Sequence, residues 1–303
     1  MDPEFLGSAT LTQVTIPFSE LKIKHYKIIL KCIFGDDIDY NFTFKNIDNI
    51  LVTLTGKPLA YIQQLSFLDY FLLLLEVRNI SIGSLIVAET TDDSSTKIDI
   101  NVQKLIETLQ TINLQQVLTS DVVDEFIIKY KLPTMSNVVS INNTNSINTV
   151  YNFFIDTIEH KKTVLDFKIL NDENINIVLE KIPAKITTRI IKKVQNIVEA
   201  FNNVNLISYL PGLENKQLIF NFNIKNLEVL LKLLFGDQLL SLYENIFKLS
   251  KTGNMPPQYI ENCTPGEYML YTKKLEASLS MGQQDDMYNS VSVDHQDTMM
   301  DID

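Results

Sequence analysis

Two segments that lie far apart in the chain have closely similar sequences, and this similarity constrains the fold more than any other feature. The first segment spans residues 27–36 and the second spans residues 228–237. Leu, Lys, Phe, Gly and Asp occur at matching positions in both, and Phe34 corresponds to Phe235, 201 positions later. The match predicts that one structural module is used twice, with other material between the two copies.

The similarity continues downstream of both segments. Tyr61-Ile62 and then Asp69-Tyr70 follow the first segment, and Tyr259-Ile260 and then Glu267-Tyr268 follow the second in the same order. Similar residues in similar order extend the proposed module over several helices. A duplicated module is typical of a scaffold, so we expect assembly rather than catalysis.

The sequence pattern predicts an α+β fold that is predominantly helical, with two related helical modules flanking a small mixed α/β segment. The polar run 90–95 marks a loop and a domain boundary. From Met281 onward the chain has no Lys or Arg and contains six Asp, which predicts disorder. The expected parts are a vector-derived leader at 1–8, an N-terminal module at 9–89, a middle mixed segment at 90–180, a related C-terminal helical module at 181–280 and a disordered acidic tail at 281–303.

Local signals place several elements within these parts. Residues 12–18 read as a strand, and Ser19 is expected to cap a helix that ends near Phe34. Ser66 and Asp69 have the spacing of a capping box before a helix that is apolar on nearly every side. We also expect a helix near 147–159 and a long amphipathic helix after Pro183.

The Phe-Gly-Asp turns have a structural and a functional interpretation. In the structural one, which we favour, Gly ends the helix in a left-handed conformation, Phe packs underneath and Asp caps the next element. Direct binding of a partner is the alternative. The residues that we assign to structural motifs include these two turns and the segments around the final helices. They are Phe34, Gly35, Asp36, Asp69, Tyr70, Arg78, Ser81, Gly83, Phe235, Gly236, Asp237, Glu267 and Tyr268.

Four basic residues recur at every fourth position, beginning just before Pro183 and continuing along the long helix expected after it. They are Lys181, Lys185, Arg189 and Lys193. Such a row is usually a solvated helix flank whose side-chain stems cover apolar surface. The functional alternative is a docking face for an acidic partner, or for the acidic tail of this chain.

Residue types that carry out chemistry are sparse. His25 and Cys32 share one helix but lie two turns apart, about 10 Å, which is too far for shared metal ligation. The nine glycines form no phosphate-binding loop. We therefore predict no catalytic residues, no cofactor and no metal.

Charge and hydropathy limit the partners. The net charge of −11 disfavours nucleic acid, which needs basic surface. The most apolar run, residues 67–77, contains two carboxylates. A helix over 66–78 would be about 20 Å long, shorter than the roughly 30 Å of a bilayer core. We expect no membrane span.

Several short motifs together resemble a known protein family. They are Ile16-Pro17-Phe18, Ile33-Phe34-Gly35-Asp36, Leu68-Asp69-Tyr70, Arg78-Asn79-Ile80-Ser81-Ile82-Gly83, Lys131-Leu132-Pro133-Thr134, Leu249-Ser250-Lys251-Thr252-Gly253-Asn254 and Thr264-Pro265-Gly266-Glu267-Tyr268. The chain resembles the baseplate hub assembly proteins of T-even-type contractile-tailed phages over most of residues 10–280. The resemblance implies a non-enzymatic protein that works in the host cytoplasm during assembly, either as a component of the virion baseplate or as a chaperone that leaves.

The partners that this resemblance implies are phage hub or tail-tube proteins, in a homo- or hetero-oligomer. Two other functions stay open at the level of sequence. One is an enzyme that processes a small molecule or nucleotide, which a deep pocket with converging carboxylates would favour. The other is a host-directed phage regulator that binds a bacterial protein through the acidic tail.

Overall fold

The computed structural model describes residues 7–34, 40–89, 97–142, 153–161, 163–167, 172–202, 204–206, 218–220, 227–236 and 239–293. The fold is predominantly helical with small antiparallel sheets, as the sequence pattern predicts. One continuous apolar core runs through the N-terminal, middle and C-terminal parts of the chain.

The N-terminal part is a β-hairpin followed by helices. Its elements are β1 (Gly7–Thr10), β2 (Thr15–Phe18), α1 (Ile23–Ile33), α2 (Tyr40–Thr55), α3 (Leu59–Gln64) and α4 (Phe67–Ser81). The two strands pair antiparallel, and β1 packs against α4. In α1 the buried side chains of Tyr26, Ile29, Leu30 and Ile33 recur at helical spacing, so the helix buries one broad face.

The middle part combines sheets and short helices. Its elements are β3 (Leu85–Glu89), β4 (Lys97–Asn101), α5 (Val102–Gln110), α6 (Leu114–Val117), β5 (Asp121–Val123), β6 (Phe126–Tyr130), α7 (Met135–Asn142), β7 (Ile155–His160), β8 (Thr163–Asp166), α8 (Asp172–Lys181) and α9 (Ala184–Asn202). Strands β5 to β8 form a four-stranded antiparallel sheet in sequence order. Ile128 and Ile158 are paired across its central strands and are fully buried.

In the described residues, the elements of the C-terminal part come in the same order as those of the N-terminal part. Its elements are β9 (Val204–Leu206), β10 (Leu218–Phe220), α10 (Leu227–Phe235), α11 (Leu239–Lys251), α12 (Pro257–Asn262) and α13 (Pro265–Val293). Each part is an antiparallel hairpin, two helices, a six-residue helix and a final helix. The final helices differ in length: α4 has 15 residues and α13 has 29.

Most local predictions agree with these elements, but the start of α1 does not. The helix begins at Ile23 rather than after Ser19. Both the backbone N–H and the hydroxyl of Ser19 donate to the carbonyl oxygen of Leu54, at 2.9 and 3.2 Å. Ser19 therefore ties the end of β2 to α2 and caps no helix.

The predicted helix near 147–159 is also wrong where the structure describes it. Residues from Ile155 onward form strand β7, and residues 143–152 lie outside the described part. Ile155 and Thr157 are β-branched, and pairing with β6 on one side and β8 on the other fixes the strand.

Both ends of the chain differ from expectation. Gly7 and Ser8, which we excluded as leader residues, belong to β1 and pair with Phe18 and Pro17. Disorder from Met281 is wrong for 281–293, because α13 continues to Val293. No Pro interrupts this stretch, and extending an existing helix avoids the cost of nucleation. Residues 294–303 lie outside the described part.

The boundary at Lys181 stays a prediction. It assigns α9 to the C-terminal module, and in the structure α9 packs against α6 and forms ion pairs with the β5–β6 hairpin. Helix α9 therefore packs with the middle part of the chain. None of the helices in the described ranges is both long enough and apolar enough to cross a membrane.

Candidate protein-docking site between the helical modules

Helix α1 is the element that joins the two helical parts. It packs against α2 of its own part and against α10, α11, α12 and α13 of the C-terminal part. At its first residue, the backbone N–H of Ile23 donates to the carbonyl oxygen of Cys263 at 2.9 Å. This bond satisfies one of the amide groups that a helix start leaves without an intrahelical partner.

The centre of this contact is aromatic and apolar. The rings of Tyr26 and Phe235 lie 6.5 Å apart, and the Tyr26 hydroxyl donates to the carbonyl oxygen of Phe235 at 3.4 Å. Polar contacts surround the centre: Lys27 pairs with Glu261 at 2.7 Å and Lys24 donates to Asn262 at 3.1 Å. An apolar centre with a polar rim is the arrangement of a protein–protein interface.

Arg78 holds a second contact between the parts. Its side chain is buried, and its guanidinium donates to the carbonyl oxygens of Leu234, Gly83 and Leu85. The Nε–Leu234 distance is 2.8 Å and the Nη2–Leu85 distance is 2.9 Å. Because Leu234 lies in the last turn of α10, the cation also faces the negative end of that helix dipole.

A cavity of about 390 Å³ lies at this junction. Its lining residues are Tyr26, Arg78, Ile82, Leu85, Ile86, Lys232, Leu233, Leu234, Phe235, Gly236 and Met269. Among these residues there is no carboxylate, His, Cys or Ser. The cavity therefore presents no converging pair of carboxylates for acid–base chemistry.

The final helices of the two parts begin in the same way. The hydroxyl oxygen of Ser66 accepts from the N–H of Asp69 at 3.1 Å, and that of Thr264 accepts from the N–H of Glu267 at 3.2 Å. Glu267 also accepts from the N–H of Thr264 at 2.8 Å, which completes a capping box.

The tyrosine that follows each cap binds the preceding long helix. The hydroxyl of Tyr70 donates to Asp48 of α2 at 2.7 Å, and that of Tyr268 donates to the carbonyl oxygen of Leu242 in α11 at 3.1 Å. Both tyrosines are buried. Tyr70 therefore fixes α4 against α2, and Tyr268 fixes α13 against α11.

Two further motif residues in the N-terminal part hold the hairpin. Both carboxylate oxygens of Asp69 accept from Thr12, one from its N–H at 2.9 Å and one from its hydroxyl at 3.1 Å. The hydroxyl oxygen of Ser81 accepts from the N–H of Leu21 at 2.8 Å. Gly83 has a φ of 135°, which favours glycine at the end of α4.

The Phe-Gly-Asp motifs behave differently from each other. Phe235 is 1% exposed, whereas Phe34 is 43% exposed with the Lys232 ammonium 5.8 Å from its ring. Phe34 therefore does not pack underneath the turn as expected. Gly236 is not in the left-handed region, but a Cβ there would clash with the carbonyl oxygen of Lys232. Gly35, Asp36 and Asp237 lie outside the described residues.

The basic row on α9 faces the chain's own β5–β6 hairpin. Lys185 pairs with Asp124 at 3.2 Å and Arg189 pairs with Asp121 at 3.3 Å. Lys193 lies over the ring of Tyr130 at 5.9 Å. Lys181 is exposed at the end of α8. The side chains of Lys185 and Arg189 are 70% and 56% exposed, so the row is also accessible from solvent.

Titratable groups near the interface are held in neutral forms. Burial, followed by the positive charges of Lys24 and Lys22, lowers the pKa of His25 from 6.5 to about 4. Burial raises the thiol pKa of Cys32 and of Cys263, so neither is an activated nucleophile. Within the ranges that the structure describes, no group of His, Cys, Asp and Glu side chains is arranged to hold a metal ion.

Sequence reasoning missed helix α2 and the acidic partners of the basic row. Phe44, Ile47 and Leu51 in α2 recur at helical spacing and are buried, so the signal was present. Asp48 lies within this stripe, and a carboxylate among apolar positions signals a buried polar contact. The pairing of Ile23 with Cys263 had no such signal, because a backbone contact depends on the tertiary fold.

Comparison with known proteins gives one match. The family model described as T4 bacteriophage base plate protein matches residues 8–206. This range covers the N-terminal part and the middle part of the chain, through β9. The searches of curated proteins and of solved structures gave no match.

Proposed function

The chain belongs to the T4 bacteriophage base plate protein family, and on this premise we propose that it is a non-enzymatic protein that helps to build the central hub of a phage tail baseplate. It acts through protein–protein contacts. The observation that carries the proposal is the family match over residues 8–206, which spans about two thirds of the chain.

The described contacts support a scaffold role. Asp69, Ser81, Glu267 and Arg78 cap helices, fix the hairpin and join the helical parts, the last through buried contacts such as Arg78 with Leu234. In a catalytic site we would expect polar groups to converge on a cavity. Here the polar groups are used to hold helices together, as in a protein whose surfaces bind other proteins.

The partners in this proposal are phage hub or tail-tube proteins, bound in the host cytoplasm during assembly. The chain then either stays in the virion baseplate or leaves as a chaperone. The basic row of α9 is the proposed docking face for an acidic partner. Its accessible Lys185 and Arg189 already bind acidic side chains of this chain, so the geometry suits carboxylates.

The deciding experiment is co-expression of the full chain with the neighbouring tail genes, followed by mass spectrometry of purified particles and of assembly intermediates. A virion component is found in both fractions, and a chaperone is found in the intermediates alone. A matched expression that lacks only this chain is the control. Hubs that form in normal yield without it contradict the proposal.

A second experiment distinguishes the assembly role from that of a host-directed regulator. Deletion of residues 281–303 removes the acidic end of the chain. Intact hub assembly by the shortened chain supports the assembly role. Loss of all partner binding, with α1 to α12 still folded by circular dichroism, supports the regulator.

A further inference from the structure

The two helical parts each form a three-helix cradle that holds a helix from elsewhere in the chain. Helices α2, α3 and α4 contact α7, and helices α11, α12 and α13 contact α1. We call these the N-terminal cradle and the C-terminal cradle. In both, the held helix is supplied by a different part of the chain from the cradle.

The held helices dock by the same backbone contact. The N–H of Met135, the first residue of α7, donates to the carbonyl oxygen of Leu65 at 3.2 Å. The N–H of Ile23, the first residue of α1, donates to that of Cys263 at 2.9 Å. Leu65 and Cys263 hold equivalent places, each just before the Ser66 or Thr264 cap of the final helix.

The held helices also have the same origin. Each follows an antiparallel β-hairpin after four residues: β2 ends at Phe18 before α1, and β6 ends at Tyr130 before α7. A helix that follows a hairpin therefore packs into a three-helix cradle in the same way at two places in the described part of the chain.

The two dockings differ in their backbone hydrogen bonds. At the N-terminal cradle a second backbone bond runs from the N–H of Phe67 to the carbonyl oxygen of Pro133 at 3.0 Å. The corresponding residue of the C-terminal cradle is Pro265, which has no N–H to donate. The rim of the C-terminal docking consists of the Lys24–Asn262 hydrogen bond and the partly exposed Lys27–Glu261 pair, and exposed pairs contribute little. The docking of α1 therefore lacks one of the two backbone bonds that hold α7.

We propose that the C-terminal cradle also accepts α1 of a second copy of this chain, so that two copies exchange their C-terminal helices. Because the C-terminal cradle and α1 lie in different parts of the chain, the cradle of one copy can bind α1 of a second copy through the same contacts. The exchanged dimer keeps every contact of α1 and loses none. Its cost is the association entropy, which high protein concentration offsets. The inference concerns the purified chain and does not depend on the proposed baseplate role.

Charge reversal of one ion pair tests the exchange. Lys27→Glu and Glu261→Lys each place like charges in contact within their own chain. In an exchanged dimer of the two variants, both contacts again join opposite charges. After partial unfolding and joint refolding, native mass spectrometry should show the mixed dimer enriched about tenfold over the dimer of either variant alone, from two restored pairs of roughly 0.7 kcal/mol each.

The control is the doubly reversed chain Lys27→Glu/Glu261→Lys. Refolded alone, it should dimerise like the parent chain. Refolded with the parent, it should form about tenfold less mixed dimer than random pairing gives, because both exchanged contacts would join like charges. Mixed dimers in statistical proportion would show that the copies associate through another surface, which overturns the proposal.

A measurement on the parent chain, without substitutions, tests the proposal even where the variants fail to fold. Parent chains with and without ¹⁵N labelling are refolded together at increasing concentration. A dimer of intermediate mass, absent when folded chains are mixed without unfolding, supports the exchange. Monomer masses alone at every concentration overturn it.

Discussion

Asp48 accepts a 2.7 Å hydrogen bond from the hydroxyl of Tyr70 where helices α2 and α4 meet in the core. Gln63 donates to the other carboxylate oxygen at 3.2 Å. Burial raises the pKa of Asp48, although both hydrogen bonds oppose the shift. Ionisation of Asp48 in the core is therefore costly, and the two donors only partly offset this cost.

The first prediction is that Asp48→Asn flattens the pH dependence of stability on the acid side. Because the folded-state pKa is raised, the contribution of Asp48 is most favourable below its unfolded pKa, about 3.9, and is lost as pH rises through the folded value. The variant should equal the parent at the lowest pH and be at least as stable at pH 7. Urea unfolding at several pH values checks this; a variant clearly less stable at pH 7 contradicts it.

Phenylalanine at the two equivalent tyrosines should have unequal effects. Tyr70→Phe removes a donor from a buried carboxylate, and we expect a loss of about 2–3 kcal/mol in the free energy of unfolding. Tyr268→Phe removes a donor from the carbonyl oxygen of Leu242 and should cost about 1 kcal/mol. Thermal and urea unfolding of both variants measure the difference. Equal losses would mean that the charge on Asp48 is not what makes Tyr70 important.

His25 should make the protein less stable as the pH falls. Its folded pKa of about 4 lies below the ordinary 6.5, so the unfolded chain takes up a proton first. The contribution of neutral His25 to the free energy of unfolding is fully present above pH 6.5 and is lost as the pH falls toward 4. In His25→Gln this slope should disappear, whereas His295→Gln, the same change near the end of the chain, should keep it. Urea midpoints between pH 7 and 4 give the comparison.

Replacement of Arg78 should be among the most damaging single changes. Arg78→Met removes the donors to three carbonyl oxygens, in Leu234, Gly83 and Leu85, and we expect a loss of about 3–5 kcal/mol. Arg78→Lys should recover only part of it, because one ammonium group lacks the planar fork of a guanidinium. Lys185→Met, at an exposed lysine whose partner Asp124 is also exposed, is the control and should cost below about 1 kcal/mol.

Charge reversal on α9 should weaken partner binding and leave the fold intact. Arg189→Glu with Lys193→Glu reverses two charges of the basic row, and loss of the part-buried Arg189–Asp121 pair should cost about 1–2 kcal/mol, too little to unfold the protein. Capture of the hub partner in a pull-down should fall several-fold. The control Lys45→Glu with Lys104→Glu makes the same charge change at exposed residues of α2 and α5. Equal capture of the partner by both double variants would contradict the proposal that the basic row of α9 is a docking face.

The sequence predicts elements whose signals are local. The cap at Ser66, the apolar helix after it and the amphipathic stripe of α9 are local patterns, and the structure has them. The family resemblance is confirmed by the family match, while the hub role stays a proposal. The predicted helix over 155–159 was wrong because strand pairing, which is not local, overrides the propensity of a short segment.

The docking of α1 could not be predicted from local signals. Its buried face is visible in the sequence, but the identity of its partner is not. The contacts with Cys263 and Phe235 join residues more than 200 positions apart. Ser19 shows the same limit at short range, because a good capping residue was used to bind α2 instead.

The docking of α1 also has a consequence for biosynthesis. The ribosome synthesises α1 early, but the C-terminal cradle that packs against it is complete only when the last helix has been made. At translation rates of about 5–20 residues per second, the delay is roughly 10–50 s. During that interval the face of α1 that the C-terminal helices cover is exposed in the nascent chain, so its yield in cells should depend on the supply of holdase chaperones.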